Sequence, residues 1–366
     1  MAAPSLATPL TRLLGCRVPI VQTAMGWIAD ARLVAATCNA GGFGFLAGAT
    51  IEPGRIEAAI LDVRARTDAP FGMNFHAFQP NAQEVIDAVI RHEVRAVSYG
   101  RGPDAKMIAR LKEAGVLCMP TVGALKHAVK AVELGADIVT VQGAEGGGHT
   151  GAVPTSILLP QVVDAVKVPV VAAGGFSDGR GLAAALAFGA AGIAMGTRFL
   201  LTTDSPVPKS ALDRYLATKD PAQIKVSTAV DGLPQRFIEN EELKRLEDMS
   251  WPARLAMSAT YARRWGREAG LGALGMAKLG LKMMAGDEGS FRQTVMAANL
   301  PALVQRGVVA GDPVHGLLPS GQVAARIDRL ESCEELISRI MLEANERLDA
   351  LAALRAAAAT NERRAQ

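Results

Sequence analysis

Aromatic residues are scarce in this chain: three Trp, three Tyr and ten Phe make up 4% of its 366 residues. Stacking platforms for single-stranded nucleic acid depend on such rings, so that class loses its main device. Dense Lys/Arg tracts are missing as well, and a net charge of +3 offers little to grip a phosphate backbone. Cysteine is limited to Cys16, Cys38, Cys118 and Cys333. None forms a CxxC pair and no His is spaced to complete a ligand set, so no metal site is expected. Cys38 and Cys118 fall in apolar patterns and read as reduced core residues. No run reaches the ~18 uninterrupted apolar residues of a membrane span. Met1 to Thr11 lacks the basic start and apolar core of a signal peptide. The expectation is a cytoplasmic protein, off membranes and nucleic acid, with a small molecule as its partner.

What is plentiful is apolar residues and glycine. A hydrophobic share of 49% against 20% charged residues supports a large core and argues against disorder. Short apolar runs alternate with helical patterns: Pro19–Thr23, Phe43–Leu46, Pro70–Phe75, Ala96–Tyr99, Val116–Pro120, Asp137–Gln142, Val168–Ala173 and Gly192–Met195. The intervening helices are expected from an Asp30 cap onward, then over Ile51–Arg66, Asn81–His92, Pro103–Ala114, Ala124–Leu134, Ser156–Val166 and Gly179–Phe188. Runs that are apolar rather than alternating suit strands buried on both faces. The pattern predicts an α/β fold, a (β/α)8 TIM barrel over residues 1–204. A doubly wound open sheet is the alternative, but it places its phosphate glycines after the first strand. Here the rich glycine turns follow the sixth, seventh and eighth strands.

Beyond Asp204 the alternation stops. Residues 205–315 are expected to form a mainly helical substrate or lid region, with Pro206–Gln223 helical, Ile224–Phe237 a short excursion and Glu239–Glu247 a solvated helical face. Residues 249–286 hold Arg254, Arg263, Arg264, Arg267, Lys278 and Lys282 against Glu268, an excess of five positive charges. Residues 316–366 are expected to pack back on the barrel through a helix opening at Ser320-Gly321-Gln322 and carrying Ile327, Leu330, Leu336, Ile337, Ile340 and Met341. Its tail, from Ala352, is expected to fray.

Strand ends of a barrel carry its chemistry. The sixth strand ends in Gln142-Gly143-Ala144-Glu145-Gly146-Gly147-Gly148-His149-Thr150-Gly151. Bare glycines let backbone approach a flat ligand, and His149 is the group there able to move a proton near neutral pH. Glu145 is a candidate to orient it. Ala173-Gly174-Gly175 and Met195-Gly196-Thr197 end the next two strands, where barrels hold phosphate on backbone N–H groups. Both also suit ordinary strand-to-helix turns. Gln22, Thr23, Asn74 and Gln142 add groups that donate and accept to a heterocycle, though a lone amide more often caps a loop. Together these suggest flavin mononucleotide, FMN. His76 follows the third strand and is a lesser candidate. His92 and His127 fall on helices, and His315 is poorly placed. No Ser/His/Asp nucleophile elbow occurs.

These pieces, in order, resemble the nitronate monooxygenase (2-nitropropane dioxygenase) family of FMN barrels. They are Pro19-Ile20-Val21-Gln22 with Met25-Gly26, Gly72-Met73-Asn74, the His149 loop, Ala172-Ala173-Gly174-Gly175, Met195-Gly196-Thr197-Arg198-Phe199 and Gly321-Gln322. The resemblance runs from about residue 10 to 350. It implies FMN bound by Gln22, Thr23, Ala24, Met25, Gly26, Asn74, Gln142, Gly147, Gly148, Ala173, Gly174, Gly175, Gly196, Thr197 and Gln322. It implies His149 as catalytic acid/base. Members of the family oxidise nitronates with O2, reduce enoyl thioesters with NAD(P)H, or pass electrons from NADH to quinone. NAD(H) is therefore a candidate electron partner and a homodimer a candidate assembly. Thr23-Ala24 stands where Gly-Pro is usual in the nitronate enzymes. With the long 249–313 segment, that departure looks more like the branch acting on indane carboxyl-CoA thioesters in bacterial steroid-ring degradation. The resemblance then implies dehydrogenation, or the reverse, at the carbons α and β to a thioester, with a hydride passing to flavin N5. Arg263, Arg264 and Arg267 are the candidate contacts for CoA phosphates, or else a solvated face.

Overall fold

The computed structural model describes residues 6–77, 79, 81–100, 105–268, 296 and 299–365, with side chains described for all of these except 262, 264–268 and 357–365. Eight parallel strands close into a barrel: β1 (Ile20–Gln22), β2 (Phe43–Leu46), β3 (Gly72–Phe75), β4 (Ala96–Tyr99), β5 (Leu117–Val122), β6 (Val139–Gln142), then, past the two-residue β7 (Gly148–His149), β8 (Val170–Ala173) and β9 (Gly192–Met195). β1 hydrogen-bonds to both β2 and β9, so the sheet has no edge. The expected (β/α)8 barrel is the fold this chain adopts. Its outer helices are α2 (Ala31–Asn39), α3 (Ile56–Arg64), α4 (Ala82–Arg91), α5 (Ala105–Glu113), α6 (Leu125–Glu133), α7 (Thr155–Ala165) and α8 (Gly179–Ala187).

Alternation along each strand sorts the core. Val21, Phe43, Phe45, Ala96, Met119, Ile138, Val171, Ala173 and Ala194 fill the interior as one cluster. An unforeseen helix, α1 (Pro9–Leu14), closes the barrel floor with Leu10 and Leu14. Thr8 and Thr11 form its capping box, and Thr8 Oγ1 also donates to Ala191 O at 2.7 Å, tying the plug to the start of β9.

Past the barrel come α9 (Thr197–Leu200), α10 (Lys209–Ala217), β10 (Ile224–Ser227), β11 (Gln235–Ile238), α11 (Glu241–Asp248), α12 (Trp251–Glu268), α13 (Asn299–Val308) and α14 (Cys333–Ala365). Several boundaries differ from expectation. The segment before α3 stays irregular because Pro53-Gly54 turns the chain there. The Ile224–Phe237 excursion is an antiparallel hairpin that continues into β7, making a small three-stranded sheet β10-β11-β7. The charged face of α11 is not wholly solvated: Glu242, Leu243 and Leu246 are buried. The terminal helix opens at Cys333, not at residues 320–322. Ser332 Oγ accepts the Glu335 N–H while Glu335 Oε2 accepts the Ser332 N–H, a capping box that sets the start. The helix is also longer than the expected fraying tail allows, running to Ala365. Ile337, Ile340, Met341 and Ala344 are buried against α8 and α2, and Glu343 accepts the Gly179 N–H at 2.8 Å. No described helix is long and apolar enough to cross a membrane.

Candidate functional site

Strand register decides which polar groups reach the barrel mouth. Asn74 pairs with Ser98, two residues past the interior residue Ala96, and Gln142 pairs with the interior residue Ala173. Thr121 lies two residues past Met119, and Thr23 two past Val21, on the same inward face. Thr23, Asn74, Ser98, Thr121 and Gln142 are all half-buried and form a polar tier above the apolar interior. Ser98 and Thr121 escaped the sequence reading because alternation is visible only once register is known.

Gln22 stands apart. It is fully buried on the helix-facing side of β1, its amide donating to the carbonyls of Thr23 and Phe45. A methyl group built on Gly44 would meet both Gln22 Oε1 and the backbone of Val34 in α2, which places this side chain between sheet and helix. Its part at the mouth is therefore to shape the β1 turn. The turn itself, Thr23 to Trp27, is half-buried at the rim. Trp27 has φ of 62°, a left-handed conformation costing a bulky residue on the order of 1 kcal/mol or more. Its N–H donates to Thr50 Oγ1 at 3.1 Å, and Thr50 is held by Ala47 O.

At the ends of β8 and β9, Gly174 and Gly175 have φ of 94° and 85°. Outside the sheet ladder, the N–H groups of Gly174, Gly175 and Gly196 make no hydrogen bond among the described residues. Gly196 faces Thr23 Oγ1 and Met25 Sδ across the rim. Glycine backbone at adjacent strand ends, with Thr197 opening α9, fits a phosphate. The polar tier beside them fits a ring bearing several nitrogens and carbonyls. Asn74 Oδ1 is taken by the Ala49 N–H at 3.2 Å, which leaves its NH2 to donate. The residues present therefore suit the flavin mononucleotide expected from the sequence.

The glycine-rich loop is clamped on all sides. Arg236, buried on β11, donates from Nη2 to Ala144 O at 2.7 Å and from Nη1 to Ile224 O at 3.1 Å. Burial lowers its pKa and nearby Glu145 opposes this. Gln322 N–H donates to Glu145 O at 3.0 Å, and Gln142 Nε2 to His149 O at 2.8 Å. Gly147 has to be glycine because a methyl there would lie 2.6 Å from Gly321 N. Glu145 does not orient His149. Its carboxylate accepts the Thr155 N–H at 3.0 Å and the Thr155 hydroxyl at 2.8 Å, capping α7, where the helix field favours an anion.

His149 is held instead from the hairpin. Its backbone pairs with Gln235, and its Nε2 lies 2.8 Å from Asp231 Oδ2. The Asp231 side chain is 6% exposed and that of His149 51%. Asp231 Oδ2 also accepts from Gln235 Nε2 at 2.6 Å, and Oδ1 accepts the Leu233 N–H at 3.0 Å. Burial would raise the Asp231 pKa, but these bonds and the His149 charge outweigh it and hold the carboxyl below its usual range. Neither Asp231 nor Gln235 was singled out from sequence. The available signal was Asp231-Gly232 between two β-prone runs, a hairpin turn.

The other candidates fall elsewhere. His92 bonds Glu57 Oε1 at 2.9 Å on the outer surface, and His315 sits by Asp312. Arg263 is exposed on α12. The side chains of Arg264 and Arg267, like Lys278 and Lys282, lie outside the described residues. The four cysteines are free thiols, and burial pushes each up to about 12.

A family model described as nitronate monooxygenase matches residues 7–95 and 79–343. The chain is 48% identical over 352 residues to a (3aS,4S,5R,7aS)-5-hydroxy-7a-methyl-1-oxo-octahydro-1H-indene-4-carboxyl-CoA dehydrogenase of Rhodococcus jostii, covering 96% of this chain and 99% of that one. It is 49% identical to a protein of the same name from Mycobacterium tuberculosis, covering 95% and 99%. Among solved structures, FabK from Thermotoga maritima superposes with a TM-score of 0.76 at 29% identity, covering 96% of this chain and 100% of that one.

Proposed function

Because this chain belongs to the nitronate monooxygenase family, and is a flavin-dependent oxidoreductase of it, we propose that it dehydrogenates a ring-bearing acyl-CoA between the carbons α and β to the thioester. The observation that carries the chemistry is His149: an exposed imidazole at a barrel mouth, braced by a buried carboxylate. The observation that carries the substrate class is the near-complete match to the two indane carboxyl-CoA dehydrogenases. It spans the 205–315 segment as well as the barrel.

A thioester acidifies the adjacent C–H, so a positioned base suffices to remove the α-proton. His149 takes it, and the clamped glycine loop keeps the imidazole from drifting. FMN, when bound, accepts the two electrons and the β-hydrogen. Gly174, Gly175, Gly196 and Thr197 would hold its phosphate. Thr23, Asn74, Ser98, Thr121 and Gln142 would meet its ring, with Gly147, Gly148, Ala173, Met25 and Gln322 lining the approach. The β10–β11 hairpin would form one wall of the site, since it carries Asp231 and Gln235, which hold His149. Arg263, exposed on α12, would be the candidate contact for CoA phosphates. Four free thiols suit a reducing cytoplasm.

The test is anaerobic mixing with a ring-bearing acyl-CoA, an alkyl nitronate and NADH in parallel, followed by flavin absorbance. Bleaching by the acyl-CoA is expected. Bleaching by nitronate alone would make the protein a nitronate monooxygenase. Reduction by NADH with turnover only of an unsaturated thioester would make it an enoyl-thioester reductase.

A further inference from the structure

We propose that Asp231 is a positioning residue that keeps the proton of neutral His149 on Nε2, so that Nδ1 is the atom that takes the substrate proton. The inference rests on His149 being the acid/base of the reading above, and deepens it to one nitrogen.

The argument is an inventory of donors. Asp231 has two oxygens, and both face donors. Oδ1 accepts a backbone N–H, that of Leu233 at 3.0 Å, and Oδ2 accepts the Gln235 amide at 2.6 Å. A carboxylic acid would have to point its own O–H at His149 Nε2, the remaining neighbour of Oδ2, and an imidazole is the more basic group and takes that proton. The arrangement therefore selects the ionised form, in which Asp231 accepts only. The pKa held below the usual range agrees. It follows that the proton in the 2.8 Å contact with His149 is the imidazole's, on Nε2. In the neutral ring the other nitrogen then carries the lone pair. Nδ1 has no protein partner among the described residues, on a side chain that is 51% exposed.

The brace is itself braced. Asn299, fully buried on α13, donates to Val230 O at 3.0 Å, fixing the residue before Asp231. The β11–β7 register fixes the backbone of His149 against Gln235, the residue whose side chain supports Asp231. Backbone and side chain are thus held from the same hairpin. Orientation of an imidazole by a buried carboxylate is worth several orders of magnitude in rate where the base must present the right nitrogen.

The experiment is a two-bond 1H–15N correlation spectrum of the flavin-loaded protein labelled with 15N-histidine, with the His149 signals assigned by comparison with H149Q. On the alkaline side, where imidazoles are neutral, wild-type protein should show Nε2 protonated and Nδ1 bare. The opposite pattern would overturn the proposal. In Asp231→Asn the amide can donate to Nε2, so the tautomer should switch or mix. The value of kcat should fall on the order of a hundredfold or more, with KM little changed. D231N that retains both the wild-type tautomer and kcat would overturn the positioning role. If D231N fails to load flavin, the wild-type spectrum alone decides, since a bare Nε2 there overturns the proposal. The tautomer is read without substrate. A bare Nδ1 in a protein that leaves every CoA thioester untouched would end the substrate reading and keep this one.

Discussion

At the residue scale, a few glycines would carry the cofactor side of the proposed site. Gly174 sits at φ of 94° with its Cβ position hemmed by Gly143 and Gly146 backbone. Alanine there takes up a left-handed strain of about 1–2 kcal/mol and presses on the glycine loop as well. We expect G174A to weaken FMN binding at least tenfold while far-ultraviolet circular dichroism stays native; fluorescence titration of stripped protein checks it. Glu145 makes a separate prediction, since it serves the helix rather than the histidine. E145A should cost about 1 kcal/mol through loss of the α7 cap, seen as a melting temperature lower by a few degrees. The glycines and His149 were legible because each is demanded by local chemistry within a short stretch. Asp231 was not, because it stands 82 residues away from the side chain it serves. Gln22 was misplaced for another reason: one step along a strand reverses the face a side chain presents.

At the element scale, barrel strands announced themselves by being short, apolar and separated by helical patterns. Features defined by pairing did not. The β10–β11 hairpin read as an excursion since neither strand alternates, β10 being buried only at its ends and β11 throughout, and β7 is too short to carry any pattern. The α1 plug was missed because six residues hold too few turns for periodicity. The α14 helix gives the element-scale prediction. Ile340 is fully buried where that helix meets α8. Truncation in I340A should cost about 2–5 kcal/mol by removing buried methylenes, measured by urea unfolding. It should detach the terminal helix before the barrel, which hydrogen exchange would resolve.

At the scale of the whole molecule, a buried ion network ties the end of the barrel to the start of α14. Glu331 accepts from Arg339 at 2.8 Å and from Arg329 at 3.1 Å, with Arg198 at 3.8 Å. Its hydrogen bonds from Arg339, against the opposing cost of burial, hold its pKa down to about 2, while burial brings the Arg198 guanidinium down to about 10. The sign follows from linkage. A carboxyl with a depressed folded pKa contributes stability that is present above its unfolded value of ~4.3. That contribution is lost as pH falls from there toward about 2, and is gone below it. The loss is on the order of 2 kcal/mol for a pair this enclosed. Melting temperature should therefore drop over that acid window in the native protein and drop less steeply in E331Q, which starts lower at neutral pH because Arg198 is left unpaired.

The hairpin that pins His149 also limits how this protein can be re-engineered. Exchanging residues 205–315 between homologues to acquire a new specificity would carry off half of the proton-handling apparatus with the graft. A chimera with a perfect foreign wall but a shifted β11 would recognise its new molecule and fail to turn it over. With the roles proposed above, recognition and reactivity in this barrel would be inherited on one piece of chain.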